Sequence, residues 1–290
     1  MLLAFGHEVN GARLWIKIGA IQFEPVEAIK MFIVLFMAAY LAETADVISA
    51  ARIWALGSHA KYLGPLLIGW GTSMAILVVQ RDLGMAALFL GIFVAVLYMA
   101  TRRIDIVLIG LGLFGCAAYW AYGHYDYVRT RVEVWVHPFA DPLGAGYQAL
   151  MGLFSIAAGG VFGTGYPLGS PGYIPDAATD YVYAVWSEEF GLVGAALLVA
   201  AYGILVARGL RIALDQPDLY AKLLAGGLAA TLGFQVVIIV GGVLHVFPLT
   251  GITLPFFSYG GSSLVANVLL VAILWSISAR RRAPLGVSSA

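Results

Sequence analysis

Residues Leu223–Val243 read LLAGGLAATLGFQVVIIVGGV, twenty-one residues without a single charge. A run of this length and apolarity is what a helix needs to cross a bilayer, about 20 residues at 1.5 Å each. Six further segments approach the same description: Pro25–Ala42, Tyr62–Val79, Leu83–Ala100, Ile104–Tyr122, Phe190–Ala207 and Phe256–Ser278. Composition agrees. The 290 residues are 61% hydrophobic and 11% charged, with a mean hydropathy of +0.91, against roughly 25% charged residues in a soluble domain. A water-soluble globule is excluded. The reading is an all-α, polytopic membrane helix bundle of about seven transmembrane helices with one large extracytoplasmic loop.

Sixteen basic and sixteen acidic residues cancel, so no global field draws this chain to nucleic acid. Cys116 is the only cysteine, which excludes an intrachain disulfide and any cysteine-based metal cage. No signal peptide is visible at the start. With Met1–Glu24 placed outside, the inner connections hold Arg52, Lys61, Arg102, Arg103, Arg208, Arg211, Lys222, Arg280, Arg281 and Arg282. The outer ones hold Arg13, Lys17, Arg81, Arg129 and Arg131. That excess of basic residues sets the orientation by the positive-inside rule.

The region 123–189 is too long for a simple connection. It joins turn residues (His137-Pro138, Asp141-Pro142, Gly165, Gly169) to a short apolar stretch, Gly146–Val161, which suits a re-entrant or interfacial helix. Residues 283–290 read as a disordered tail. The rest, 1–290, reads as a single membrane-embedded domain.

Charges inside apolar segments are costly and mark candidate sites. Glu27 and Lys30 are three apart and share a helix face, either as an interfacial salt bridge or as part of a cavity receiving a charged head group. Arg13 and Lys17 flank Trp15, as in an interfacial anchor or an anionic-lipid site. Asp176 and Asp180 on one side, and Glu188 and Glu189 on the other, flank YVYAVW (181–186). If the fifth helix begins near Asp176, the two aspartates share a face in its first turn, where carboxylates suit the helix dipole. With Arg129 and Arg131 nearby, such a carboxylate suits a general base for a sugar hydroxyl once burial raises its pKa. Gly260-Gly261-Ser262-Ser263 is no P-loop. It fits close helix packing, or a polar floor for a substrate.

Six ordered blocks, NGARLWIKIG (10–19), FEPVEAIK (23–30), QRDLGMAALF (80–89), DPLGAGYQ (141–148), IPDAATDYVYAVWSEEFGLVG (174–194) and PLTGITLPFFSYGGSSL (248–264), resemble those of the SEDS family, which includes FtsW, RodA and SpoVE. The resemblance implies a peptidoglycan glycosyltransferase that transfers a lipid-linked glycan strand onto lipid II at the outer face of the bacterial cytoplasmic membrane, in cell elongation or division. It also implies three further helices ahead of the first one here. The family's T-D-F-I-F-A block falls on Thr179–Ala184, which makes Asp180 the catalytic base, and L-P-E falls on Ile174-Pro175-Asp176. Glu27 and Lys30 fall on the family's E-x-x-K pair. Arg13, Lys17, Glu27, Lys30, Arg129, Arg131, Asp176, Ser262 and Ser263 are the candidate substrate contacts. The usual F-Q-P-S-E reads Phe23-Glu24-Pro25-Val26-Glu27, and the residue before Thr179 is Ala178 where His is common.

The substrates so implied are lipid II and an undecaprenyl-pyrophosphate-linked glycan. The implied partners are a class B penicillin-binding transpeptidase and other divisome or elongasome membrane proteins. No protein metal site is expected, though a divalent cation such as Mg or Mn would suit the leaving pyrophosphate. Two other classes fit a polar intramembrane cavity: a lipid-linked oligosaccharide flippase, which needs no general base, and a non-catalytic scaffold for the transpeptidase.

Overall fold

A computed structural model describes residues 7–9, 12–18, 21–50, 60–79 and 82–280. Seven long helices are present among them: α1 Pro25–Ala50, α2 Ala60–Val79, α3 Leu83–Thr101, α4 Ile104–His124, α7 Val182–Leu214, α8 Leu219–Val243 and α9 Gly261–Arg280. Six are long and apolar enough to span a membrane, and the seventh, α2, is a 20-residue helix containing Pro65. The fold is therefore a polytopic helical bundle. The tail 283–290 and basic residues Arg52, Arg81, Arg281 and Arg282 lie outside the described residues.

The chain also opens with three short strands, β1 His7–Val9, β2 Ala12–Ile18 and β3 Ile21–Phe23, in an antiparallel sheet of order β1-β2-β3. They are a short addition to the helical bundle expected from sequence. In ARLWIKI, Leu14, Ile16 and Ile18 alternate with Arg13, Trp15 and Lys17, the period-two pattern of a strand.

Helix α8 is the centre of the bundle. Leu223, Leu228, Leu232, Gln235 and Ile239 on it are wholly buried, and it packs against α7, α3 and α1. At the other extreme, α4 has no buried residue. A helix apolar all round yet unburied leaves its surface open to lipid or to further helices, and Cys116 on it is exposed.

Helix α7 begins later than Asp176, at Val182. Asp176 has φ 54°, outside the helical region, and its carbonyl accepts from the amides of Thr179, Asp180 and Tyr181 at 3.1, 3.1 and 3.4 Å. The two acids thus sit on an irregular turn ahead of the helix, which corrects the first-turn expectation. The helix then breaks at Gly191 (φ 65°, ψ −168°). A break orphans backbone groups, and segment 160–165 supplies partners: Leu192 N–H to the Gly160 carbonyl at 2.9 Å, Val193 N–H to Val161 at 3.1 Å, and Thr164 N–H to the Glu188 carbonyl at 2.9 Å. Only glycine fits at 191, since a Cβ there would come within 2.5 Å of the Val161 oxygen.

Between α4 and α7 lie α5 Asp126–Val136, α6 Tyr147–Gly159 and a 3₁₀ turn at Pro171–Tyr173. Helix α6 fills the apolar stretch expected at 146–161 and rests on α7. The buried Glu188 carboxylate fastens this region by accepting from Ser155 Oγ at 2.6 Å and Ser170 N–H at 3.0 Å. Helix α9 starts at Gly261 rather than Phe256, because Phe256 (φ 64°) and the preceding prolines keep 248–260 as a loop.

Candidate active site

The segment ends that the basic-residue count assigns to one face meet at one end of the bundle. Gln148 Nε2 donates to the Pro175 carbonyl at 3.0 Å. Tyr259 N–H donates to the Ala178 carbonyl at 2.8 Å, and Ser258 Oγ–H to Thr179 at 2.5 Å. Arg131 Nη1 donates to the carbonyls of Leu249 and Thr250 at 3.2 and 3.0 Å. Gly84 lets the start of α3 approach the same loop, since a Cβ there would sit 2.6 Å from Ile252 Cγ2 and 2.9 Å from the Thr250 oxygen.

These contacts enclose a cavity of about 270 Å³ lined by Arg131, Trp135, Gln148, Asp176, Asp180, Tyr181, His245 and Gly251, among others. Its volume lies near the lower end of small-molecule sites. Asp180 and Asp176 face the same space, as the sequence reading requires. Gly251, at φ 77°, separates Asp180 from Arg131: a Cβ on it would lie 3.4 Å from Asp180 Oδ2 and 3.9 Å from Arg131 Nη2.

The electrostatics favour a proton acceptor. Burial, then the neighbouring Asp176 charge, raise the Asp180 pKa to about 6, against the lowering effects of the Thr179 hydrogen bond and Arg131. Asp82 caps α3 by accepting from Met85 N–H at 2.9 Å, and burial raises its pKa as well. Glu24, just ahead of α1, is raised to about 8 by burial and by Glu27. Of these raised carboxylates Asp180 alone lines the cavity, and a carboxylate of raised pKa in a cleft is a mark of acid–base chemistry.

The other candidates divide. Arg131 lines the cavity, whereas Arg129 does not. It is exposed, lies 3.8 Å from Asp126, and its guanidinium sits 6.0 Å from the Tyr122 ring centroid. Arg13 and Lys17 lie on β2, and their side chains fall outside the described residues. Glu27 and Lys30 are 1% and 0% exposed and 2.5 Å apart, a buried pair inside the bundle. Lys30 Nζ also donates to Gln235 Oε1 at 3.0 Å and Asn267 Oδ1 at 3.5 Å. Its ammonium is thus held by one ion pair and two hydrogen bonds within the protein, and neither residue of the pair lines the cavity. Ser262 and Ser263 are also buried: Ser262 Oγ accepts from Glu24 N–H at 3.0 Å, and Ser263 Oγ lies 2.7 Å from Thr253 Oγ1. They bind the chain to itself. Among the described residues no three His, Cys, Asp or Glu side chains converge to hold a metal.

Sequence reasoning passed over Asp82, Trp135, Gln235 and His245. Asp82 stood inside a quoted block, and an amide in the middle of an uncharged span marks Gln235 by the cost of burying it. His245 and Trp135 gave no local signal, because only the fold brings them together on the Asp180 cavity.

A family model described as "Cell cycle protein", covering FtsW, RodA and SpoVE, matches residues 1–283. The chain is 44% identical over 281 residues to the peptidoglycan glycosyltransferase RodA of Mycobacterium tuberculosis (strain ATCC 25618 / H37Rv), covering 96% of this chain and 60% of the relative. It is 35% identical over 274 residues to the stage V sporulation protein E of Bacillus subtilis, covering 93% and 72%. Among solved structures, a chain from a peptidoglycan synthase complex superposes with a TM-score of 0.79 at 33% identity, covering 97% of this chain and 77% of that one. The Thermus thermophilus rod shape determining protein RodA gives 0.62 at 31%, covering 97% and 74%.

Proposed function

Because this chain belongs to the FtsW/RodA/SpoVE family, we propose that it is a peptidoglycan glycosyltransferase of the bacterial cytoplasmic membrane, polymerising lipid II at the outer face. The chain spans about three-fifths of the mycobacterial relative's length. The observation that carries the reading is Asp180, a carboxylate with a pKa raised to about 6 in a cavity at the end of a membrane bundle.

The chemistry follows from what that carboxylate can do. The acceptor is the 4-hydroxyl of the N-acetylglucosamine of lipid II, too weak an acid to attack unaided. Asp180 takes its proton as the oxygen bonds to the anomeric carbon of the donor strand's N-acetylmuramic acid. The bond from that carbon to undecaprenyl pyrophosphate breaks, and the electron pair leaves with the pyrophosphate. An α donor linkage becomes a β product linkage in one inverting displacement, so no enzyme nucleophile is required. A pKa near the working pH keeps Asp180 ionised while leaving it a useful base. Asp176 tunes it. Arg131 supplies positive charge beside the reacting centre, and a divalent ion, were one bound by the pyrophosphate, would add positive charge at the leaving group.

The solved relative belongs to a peptidoglycan synthase complex, which supports a class B penicillin-binding transpeptidase as the partner here. Fluorescent lipid II supplied to the purified chain together with such a transpeptidase tests the reading. Glycan strands are the expected product. Translocation of lipid II without strands favours a flippase, and neither activity favours a scaffold.

A further inference from the structure

A closed ring of polar groups, buried but for the half-buried Thr253, lies inside the bundle, outside the cavity. Lys30 on α1 donates to Gln235 on α8 at 3.0 Å, and Gln235 Nε2 donates to the Thr253 carbonyl at 2.9 Å. Thr253 Oγ1 lies 2.7 Å from Ser263 Oγ, Asn267 Nδ2 on α9 donates to Ser263 Oγ at 3.2 Å, and Lys30 closes the circuit at Asn267 Oδ1, 3.5 Å. Lys30, Gln235 and Asn267 are 0% exposed. Buried polar groups held this way are costly to leave half satisfied, so the ring has few alternative arrangements.

The ring's one tie to irregular backbone is Thr253, the middle of loop 248–260. That loop touches the candidate site at both ends. Its first half carries the Leu249 and Thr250 carbonyls that receive Arg131. Its second half carries Ser258 and Tyr259, which bond the Thr179 and Ala178 carbonyls immediately before Asp180. We infer that Gln235 is a positioning residue: by pinning Thr253 it fixes the loop that sets Arg131 and the Asp180 carboxylate at their separation. The buried Glu27–Lys30 pair then serves the site at a distance, by orienting Gln235 rather than by meeting substrate. This rests on Asp180 being the base.

Asp180 faces Asp176 on its own turn, Arg131 on α5, Asp82 at the start of α3 and Glu24 ahead of α1. Of these Arg131 alone opposes protonation, so letting it drift raises the pH at which Asp180 ionises. In Gln235→Leu the acid limb of lipid II turnover moves up by about half a pH unit. In an Arg131→Met background the same substitution moves it little, because the two act through one contact.

A second readout needs no turnover. Amide hydrogen exchange of the purified full chain should quicken across residues 249–258 in Gln235→Leu and stay unchanged in α3 and α6. Ser263→Ala, which removes the Thr253 hydroxyl contact but leaves Lys30 paired, should quicken the same segment to a smaller degree. Unchanged exchange in 249–258 in both variants overturns the inference. So does faster exchange in Gln235→Leu with an unmoved acid limb. A wild-type rate without an acid limb overturns the reading of Asp180, and the exchange result then still decides whether Gln235 positions the loop.

Discussion

The main-chain N–H of Asp180 donates to the carbonyl of Asp176 at 3.1 Å, and this turn, not a helix, sets both carboxylates on one cavity. The Asp176 charge raises the Asp180 pKa, and Arg131 lowers it. Turnover should therefore climb as pH rises through about 6 and level off above. Asp176→Asn moves that limb to lower pH, and Arg131→Met moves it to higher pH. Rate–pH profiles of the three proteins check the signs.

The same shift bears on stability. Asp180 binds its proton more tightly folded than unfolded, where a carboxyl ionises near pH 3.9. Below that value both states are protonated and nothing is lost. As pH rises toward about 6 the unfolded state ionises first and stability falls, with no further loss above. Asp180→Asn should thus raise the melting temperature at pH 7.5, and the gain should vanish near pH 4. Glu24→Gln should behave alike with its loss of stability extending up to about pH 8. A thermal-shift series over pH reads both.

Lys30→Met leaves the Glu27 carboxylate buried without its partner. One-sided removal of a buried ion pair costs about 3–5 kcal/mol, so this variant should be strongly destabilised in detergent unfolding. Glu27→Gln combined with Lys30→Met should recover much of the loss. Equal stability of the single variant and the wild type contradicts the buried geometry.

His245 has φ 62°, and its carbonyl receives the Trp135 indole N–H at 2.9 Å. A left-handed backbone favours glycine and asparagine over β-branched residues. His245→Gly and His245→Asn should keep full thermal stability, whereas His245→Val should lose on the order of 1–2 kcal/mol. The bond to Trp135 uses the backbone and survives in all three.

Much of this architecture was legible in the sequence, and the losses have physical causes. Apolar runs such as Leu223–Val243 announce bilayer spans because no other solvent tolerates them. Strand β2 was missed because its seven residues carry both basic and apolar groups, the pattern of an interfacial anchor as much as of a strand. The true start of α7 was hidden because Asp176 and Asp180 fit a helix's first turn in spacing, and only the left-handed φ of Asp176 separates the two. Asp180 stood out by its block, and it lines the cavity, but the buried partners of Lys30 were not legible. Periodicity puts it beside Glu27, while Gln235 and Asn267, more than two hundred residues away, accept its hydrogen bonds.

The most direct test of the central claim is polymerisation of fluorescent lipid II by the purified chain with a transpeptidase partner, wild type against Asp180→Asn. The amide keeps the size of the carboxylate but cannot accept the hydroxyl proton. General-base assistance contributes on the order of a hundred- to ten-thousand-fold, so the variant should fold, insert and yield no visible glycan strands. Strands formed by Asp180→Asn at the wild-type rate would contradict the account.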